Sequence, residues 1–258
     1  MAGIRQVVEH RALQYRRTVR ASLFGSFVSP VMFLAAMGLG LGGYVDRTAT
    51  EGLGAGSYLQ FLAPGLLAAT VMQSAAFEST YPIIGGFLWN RIFLAMAASP
   101  LRPRDIALGT LAWIAIRMTT IAVIFTVVLV LFGAARSPLV VLAIPVAVLT
   151  GMSFAGLIGA YAARLGTPGN FSAIFRFGIM PLFLLSGTFF PLTNLPPAVQ
   201  ALAWLSPLWH GVSLARALAL GTVLDDPLTA VAHLAVLLAV TAGGTWLMVR
   251  MVRRRLEA

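Results

Sequence analysis

Apolar residues run in six long blocks along this chain, and polar residues gather between them. The blocks occupy residues 22–44, 57–77, 106–133, 138–163, 177–190 and 228–249. A helix needs about 20 apolar residues to cross a hydrocarbon layer ~30 Å thick. Backbone polar groups in that layer must be satisfied internally, which leaves helices and closed barrels, and barrel strands are only about 10 residues long. The pattern predicts an all-α integral membrane protein with six transmembrane helices. The gaps leave no room for a sizeable soluble domain.

The segments between blocks carry patterns of their own. Ile4, Val7, Val8, Ala12, Tyr15 and Val19 recur at helical spacing, with Arg5, Glu9, Arg16, Arg17 and Arg20 on the other faces. This predicts an N-terminal amphipathic interfacial helix over residues 1–21, with a solvated basic tail as the plain alternative. The first block is 23 residues long and lacks a clear A-x-A site, so it reads as a retained helix rather than a signal peptide. Spans 1 and 2 fill residues 22–80, with an outer loop at 45–56. Residues 81–105 form a protruding handle. There Phe87, Leu88, Trp89, Ile92, Phe93 and Met96 make a second amphipathic stretch, and Ser99-Pro100-Leu101-Arg102-Pro103-Arg104-Asp105 breaks it. Two prolines three apart do not continue a helix.

Spans 3 to 5 fill residues 106–190. The link at 134–137 is short enough to make spans 3 and 4 antiparallel neighbours. Gly151, Ser153, Ala155, Gly156, Gly159 and Ala160 permit close helix contact on span 4. Span 5 contains Pro181 and ends at Ser186-Gly187-Thr188-Phe189-Phe190-Pro191. Two apolar segments follow, 197–205 and 208–220, divided by Ser206-Pro207. Both are too short to cross, so residues 191–227 predict an outer re-entrant cap. Span 6 and a basic tail complete the chain over 228–258.

Charge orients this arrangement. With six spans both ends lie on one side, and that side holds fourteen of the eighteen arginines; Arg47, Arg136 and Arg216 lie opposite with Asp46, Glu51, Asp225 and Asp226. The bias predicts both termini in the cytoplasm of a plasma (inner) membrane protein. The net charge of +10 is then topological, with membrane lipid head groups as its counter-charge and no call for nucleic acid. The chain has no cysteine and no lysine. Thiolate chemistry, the phosphate-cradling GxxxxGK loop and Schiff-base chemistry are excluded with them.

Few groups within the spans carry chemistry. Glu78 and Arg117 are the charges nearest the hydrocarbon. They predict an ion pair between spans 2 and 3; contact of Arg117 with an anionic cargo is the other reading. His210 in the cap reads as a hydrogen-bonding partner for broken backbone before a proton relay, and His233 as a packed or interhelical partner. No cluster has metal-ligand spacing, and no serine is persuasively paired with a base. Phe189, Phe190, Trp204 and Trp209 read as an interfacial aromatic belt before cargo contacts.

Tyr58-Leu59-Gln60-Phe61-Leu62-Ala63-Pro64-Gly65 opens span 2 and Ala76-Phe77-Glu78-Ser79-Thr80-Tyr81 closes it. Ser99-Pro100-Leu101-Arg102-Pro103, Asp105-Ile106, Gly109, Trp113 and Arg117 follow. Then come Ser186-Gly187-Thr188-Phe189-Phe190-Pro191, Leu195-Pro196 and Ser206-Pro207-Leu208-Trp209-His210 with Arg216. In these residues the chain resembles the ABC-2 type permease family, nearest the branch of rhizobial nodulation lipo-oligosaccharide and actinobacterial drug export permeases. The handle departs from many family members in having no acidic residue over 81–104. The resemblance implies a half-transporter: two permeases, as a homodimer or with a sister permease, and a separate ABC ATPase subunit that binds ATP and Mg. It implies no cofactor and no catalytic residue in this chain. It also implies that Leu88, Trp89, Ile92, Phe93, Met96, Pro100, Leu101 and Arg102 couple to that ATPase, and that Phe189, Phe190, Pro191, Pro207, Trp209 and His210 belong to the cap. The expected function is export of an amphipathic, lipid-like or drug substrate. The rival from another class is an integral-membrane lipid-modifying enzyme, against which the sparse polar chemistry weighs. A channel or scaffold is compatible with composition but leaves the handle without a purpose.

Overall fold

A computed structural model describes residues 2–16, 30–44, 55–167 and 171–257, together with Val19, Phe24 and Val28. The regular elements among the described residues are all helical. Four are long and apolar enough to cross a membrane: Tyr58–Leu88, Pro103–Leu131, Pro138–Arg164 and Pro227–Glu257. The other two apolar blocks form the shorter helices Pro30–Tyr44 and Phe171–Leu185. Most of 22–29 and of the expected outer loop at 45–56 lies outside the described residues.

In chain order the helices are α1 (Ala2–Tyr15), α2 (Pro30–Tyr44), α3 (Tyr58–Glu78), α4 (Tyr81–Leu88), α5 (Ile92–Ala97), α6 (Pro103–Leu131), α7 (Ala143–Arg164), α8 (Phe171–Leu185), α9 (Pro197–Leu205), α10 (Pro207–Leu220) and α11 (Pro227–Glu257). Their ends follow local chemistry. Ser57 caps α3 by accepting from Gln60 N at 3.3 Å. At the far end Ser79 Oγ donates to Ala75 O at 2.7 Å and Thr80 Oγ1 to Phe77 O at 2.8 Å, closing the last turn before α4 begins. α6 starts at Pro103, three residues before the apolar block, because proline at a first turn has no N–H to leave unsatisfied. Ser206 caps α10 and Gly221 ends it at φ 83°.

α8 differs most from the expected span 5. It begins at 171 rather than 177 and stops at 185 rather than 190. A π-helical stretch, Phe175–Ile179, precedes Pro181, a widened turn of the kind that accommodates a missing backbone donor. Beyond it Gly187 at φ 77° turns the chain into an irregular loop, where Ser186 and Thr188 are buried and hydrogen-bond each other at 3.0 Å. The apolarity of 186–190 belongs to a packed loop, which no periodicity distinguishes from a helix end.

α7 is the central post, touching α3, α6, α10 and α11. Its small residues do the work the sequence suggested. A Cβ on Gly156 would lie 2.5 Å from the Gly244 carbonyl carbon, so α7 and α11 cross backbone to backbone. α3 is enclosed, with Leu62, Leu67, Ala68 and Met72 at 0 % exposure, while α11 keeps Leu228, Val231, Leu238 and Trp246 on an open face.

Candidate functional site

The handle begins where α3 stacks on α4, whose glycine pair at 85 and 86 lets aromatic rings fold back over it. Trp89 covers Gly85 and stacks on Tyr81 at 6.4 Å. The chain then corners at Arg91 with φ 49°, the one positive φ at a non-glycine among the described residues. This corner splits the single amphipathic stretch into α4 and α5. It also sorts the predicted coupling residues. Phe93 is 2 % exposed, turned inward against Phe87 at 4.8 Å and under the Arg11 guanidinium at 5.5 Å. Leu88, Ile92, Met96 and Leu101 are half-buried, whereas Trp89, Pro100 and Arg102 are exposed. Phe93, expected on the coupling surface, packs within the handle itself. Arg91 and Leu94, not singled out from sequence, lie open beside Trp89. The helical repeat carried the signal, since Leu94 is one step of about 100° around the helix from the inward Phe93.

Where α1, α3 and α6 meet, Glu78 Oε1 lies 3.2 Å from Arg117 Nη2, with both side chains about four-fifths covered (19 % and 22 % exposed). The Arg117 guanidinium sits 4.3 Å from the Tyr15 ring, and Tyr15 meets Trp113 edge-on at 5.6 Å. α1 thus roofs the charge pair. Its buried stripe enters a notch on α6: Val7 is 1 % exposed, against Gly109. Arg11, on the same helix, also faces Glu78. Burial draws its guanidinium below its ordinary pKa, and Glu78 acts in the opposite direction. The helix expected over 1–21 is present over 2–15, and the described geometry gives its apolar face a protein partner.

The cap is organised by Arg216, which sequence reasoning counted as an outer charge and as the end of the last family-like motif, without assigning it a role. Its Nε donates to Phe61 O at 2.9 Å and its Nη2 to Gly187 O at 2.8 Å, while the guanidinium stands 3.7 Å over the Phe61 ring. One side chain so ties α10 to the start of α3 and to the loop after α8. Gly65 leaves room for it: a Cβ there would be 3.1 Å from Nη2. Tyr58 Oη donates to Phe189 O at 3.3 Å in the same region. The legible signal was spacing, for Arg216 continues the four-residue step Leu208, Val212, both 0 % exposed. Phe189 packs on Phe183 at 5.0 Å and on Phe33 at 6.2 Å, and Phe190 and Pro191 are half-buried beside it. Pro207 opens α10, and Trp209 lies 4.9 Å from His210 and 4.9 Å from His233. His210 Nε2 reaches Trp204 O at 2.9 Å, and its Nδ1 is 2.7 Å from His233 Nδ1. Among the described residues no group of three or more His, Cys, Asp or Glu is placed to hold a metal ion.

Comparison with known proteins gives the family. The family model described as ABC-2 type transporter matches residues 3–220. Nodulation protein J of Rhizobium leguminosarum bv. viciae is 31% identical over 246 residues, covering 95% of this chain and 91% of that protein. Nodulation protein J of Sinorhizobium fredii (strain NBRC 101917 / NGR234) is 33% identical over 247 residues, covering 95% and 90%. The inner membrane transport permease YadH of Escherichia coli (strain K12) is 28% identical over 159 residues, 61% of each chain. No solved structure gives a significant match. A match this long, spanning α1, the handle and the cap, places the protein: the chain belongs to the ABC-2 type transporter family.

Proposed function

We infer that this chain is the permease subunit of an ATP-driven exporter, inserted in the inner membrane through six spans with both ends in the cytoplasm. Two permeases, copies of this chain or this chain and a sister, enclose the path, and a separate ATPase subunit burns ATP. The observation that carries the reading is the family match through residue 220, which takes in the handle as well as the helices. The chain itself has no lysine with which to build a phosphate loop of the GK type. A path lined by apolar helices suits an amphipathic or lipid-like cargo, and a relative is named an inner membrane transport permease.

The mechanism is mechanical. The exposed strip Trp89, Arg91, Leu94, Pro100 and Arg102 meets the ATPase, and the absence of acids over 81–104 calls for an acidic or neutral partner surface. Motion of the handle reaches Glu78 through the α4–α3 junction and reaches α1 through Phe93 and Arg11. Cargo is moved because the two states of the permease bind it unequally. The test is co-expression with a partner ABC ATPase, followed by ATPase and transport assays in vesicles. Trp89→Ala/Leu94→Asp is expected to abolish copurification and cargo-stimulated hydrolysis while the permease still accumulates. Full transport by this chain alone, or intact coupling in that variant, overturns the reading.

A further inference from the structure

His210 of the cap and His233 of α11 form a proton circuit whose order is set by one oxygen. A carbonyl only accepts, so the His210 nitrogen 2.9 Å from Trp204 O, Nε2, carries a hydrogen. A neutral imidazole has one, so His210 Nδ1 is bare. The facing His233 Nδ1, 2.7 Å away, must then be the donor. His233 Nε2 is left as the basic nitrogen of the neutral pair.

Added protons have unequal consequences. The first lands on His233 Nε2, and the Nδ1–H···Nδ1 bond survives with its donor charged, which strengthens it. The second has only His210 Nδ1 to occupy, the lone pair that holds the bond. Two N–H groups on two cations then point at each other, and the rings must part.

What parts with them is the junction of α10 and α11. Among the described residues this is the side-chain hydrogen bond that joins those two helices. Leu214 and Leu218 of α10, Ala230, Val231 and Leu234 of α11 and Val146 of α7 line a pocket of roughly 410 Å³. Trp209 closes over both rings, and α9 adds the neutral Trp204. The other titratable group acting on the pair is Asp226, before α11, whose charge acts on His233 and compensates the first proton.

We propose that His210 and His233 form a proton-binding latch between the cap and the last helix, closed with no added proton or one and released by the second. The latch goes beyond the export reading and needs no sidedness; on the proposed topology its protons come from outside.

The chain has three histidines and no cysteine, which makes the test direct. The whole chain, labelled with ¹⁵N-histidine, is titrated by NMR in lipid nanodiscs. The pair is expected to titrate in two steps more than about one pH unit apart. At neutral pH, His210 is expected to hold its hydrogen on Nε2. Joint titration of the pair as two independent rings, or a bare His210 Nε2, overturns the proposal. In parallel, spin labels at Leu202→Cys on α9 and Leu228→Cys on α11, both exposed, report the gap by electron–electron resonance. The distance should lengthen through the second step and stay constant in His233→Gln. No change in the parent, or the same change in His233→Gln, overturns the latch, and neither result touches the ATPase-coupling test.

Discussion

Single residues hold this structure together in ways charge counting alone conceals. Arg216 satisfies two carbonyls in places a helix ladder cannot reach. Arg216→Met should orphan both and lower stability by roughly 2–4 kcal/mol, at about 1–2 per unsatisfied group. Arg216→Lys should recover only part, because an ammonium lacks the planar fork. Thermal unfolding in detergent separates the three. Glu78 and Arg117 form a pair of another kind, largely covered and roofed by Tyr15. Glu78→Gln alone should lose about 1–3 kcal/mol, and Glu78→Gln/Arg117→Met should lose less than the sum of the single changes. A double variant that folds well but exports nothing would show that the pair also serves cargo. Hydrogen bonds from the Thr229 hydroxyl and amide hold the Asp226 carboxyl below the usual range. Its cap on α11 is therefore complete above the ordinary carboxylate value and is lost as pH falls through the lowered one. Asp226→Ala should erase that acidic-side change in stability.

Helix packing gives a sharper contrast at neighbouring sites. Gly156→Ala pushes a methyl into the Gly244 backbone and should reduce accumulation of folded protein. Gly243→Ala meets nothing within 4 Å and should be neutral or stabilising by about 0.5–1 kcal/mol. Detergent extraction and melting temperature would rank the two. At this scale much was legible. The short link at 134–137, the small-residue face of α7 and the paired cap helices follow from spacing and from Pro and Gly punctuation. The corner at Arg91 and the early end of α8 did not. Each depends on one residue whose φ is positive, and whether a chain adopts such an angle is decided by what packs around it. The burial of Phe93 was not legible for a related reason: apolar spacing marks a buried face but not whether this chain or another buries it.

Across the whole molecule, hydrophobic block length carries the class and the family match carries the kind of machine. Two bridges between distant parts were invisible, because Phe61–Arg216 and His210–His233 join positions that no local period relates. A prediction at this scale concerns sidedness. Single cysteines placed in the cysteine-free chain at Leu94 and at Leu228 should react with an impermeant thiol reagent from opposite faces of the membrane; labelling from one face refutes the six-span topology. The seat of Val7 on Gly109 bears also on biogenesis. One hundred and two residues separate the two positions, 109 minus 7. At about 5–20 residues per second the ribosome needs roughly 5–20 s to supply the second. Through that interval the nascent chain's first helix has no berth in its own protein, so an insertion factor or the lipid surface must shelter it until translation passes Gly109.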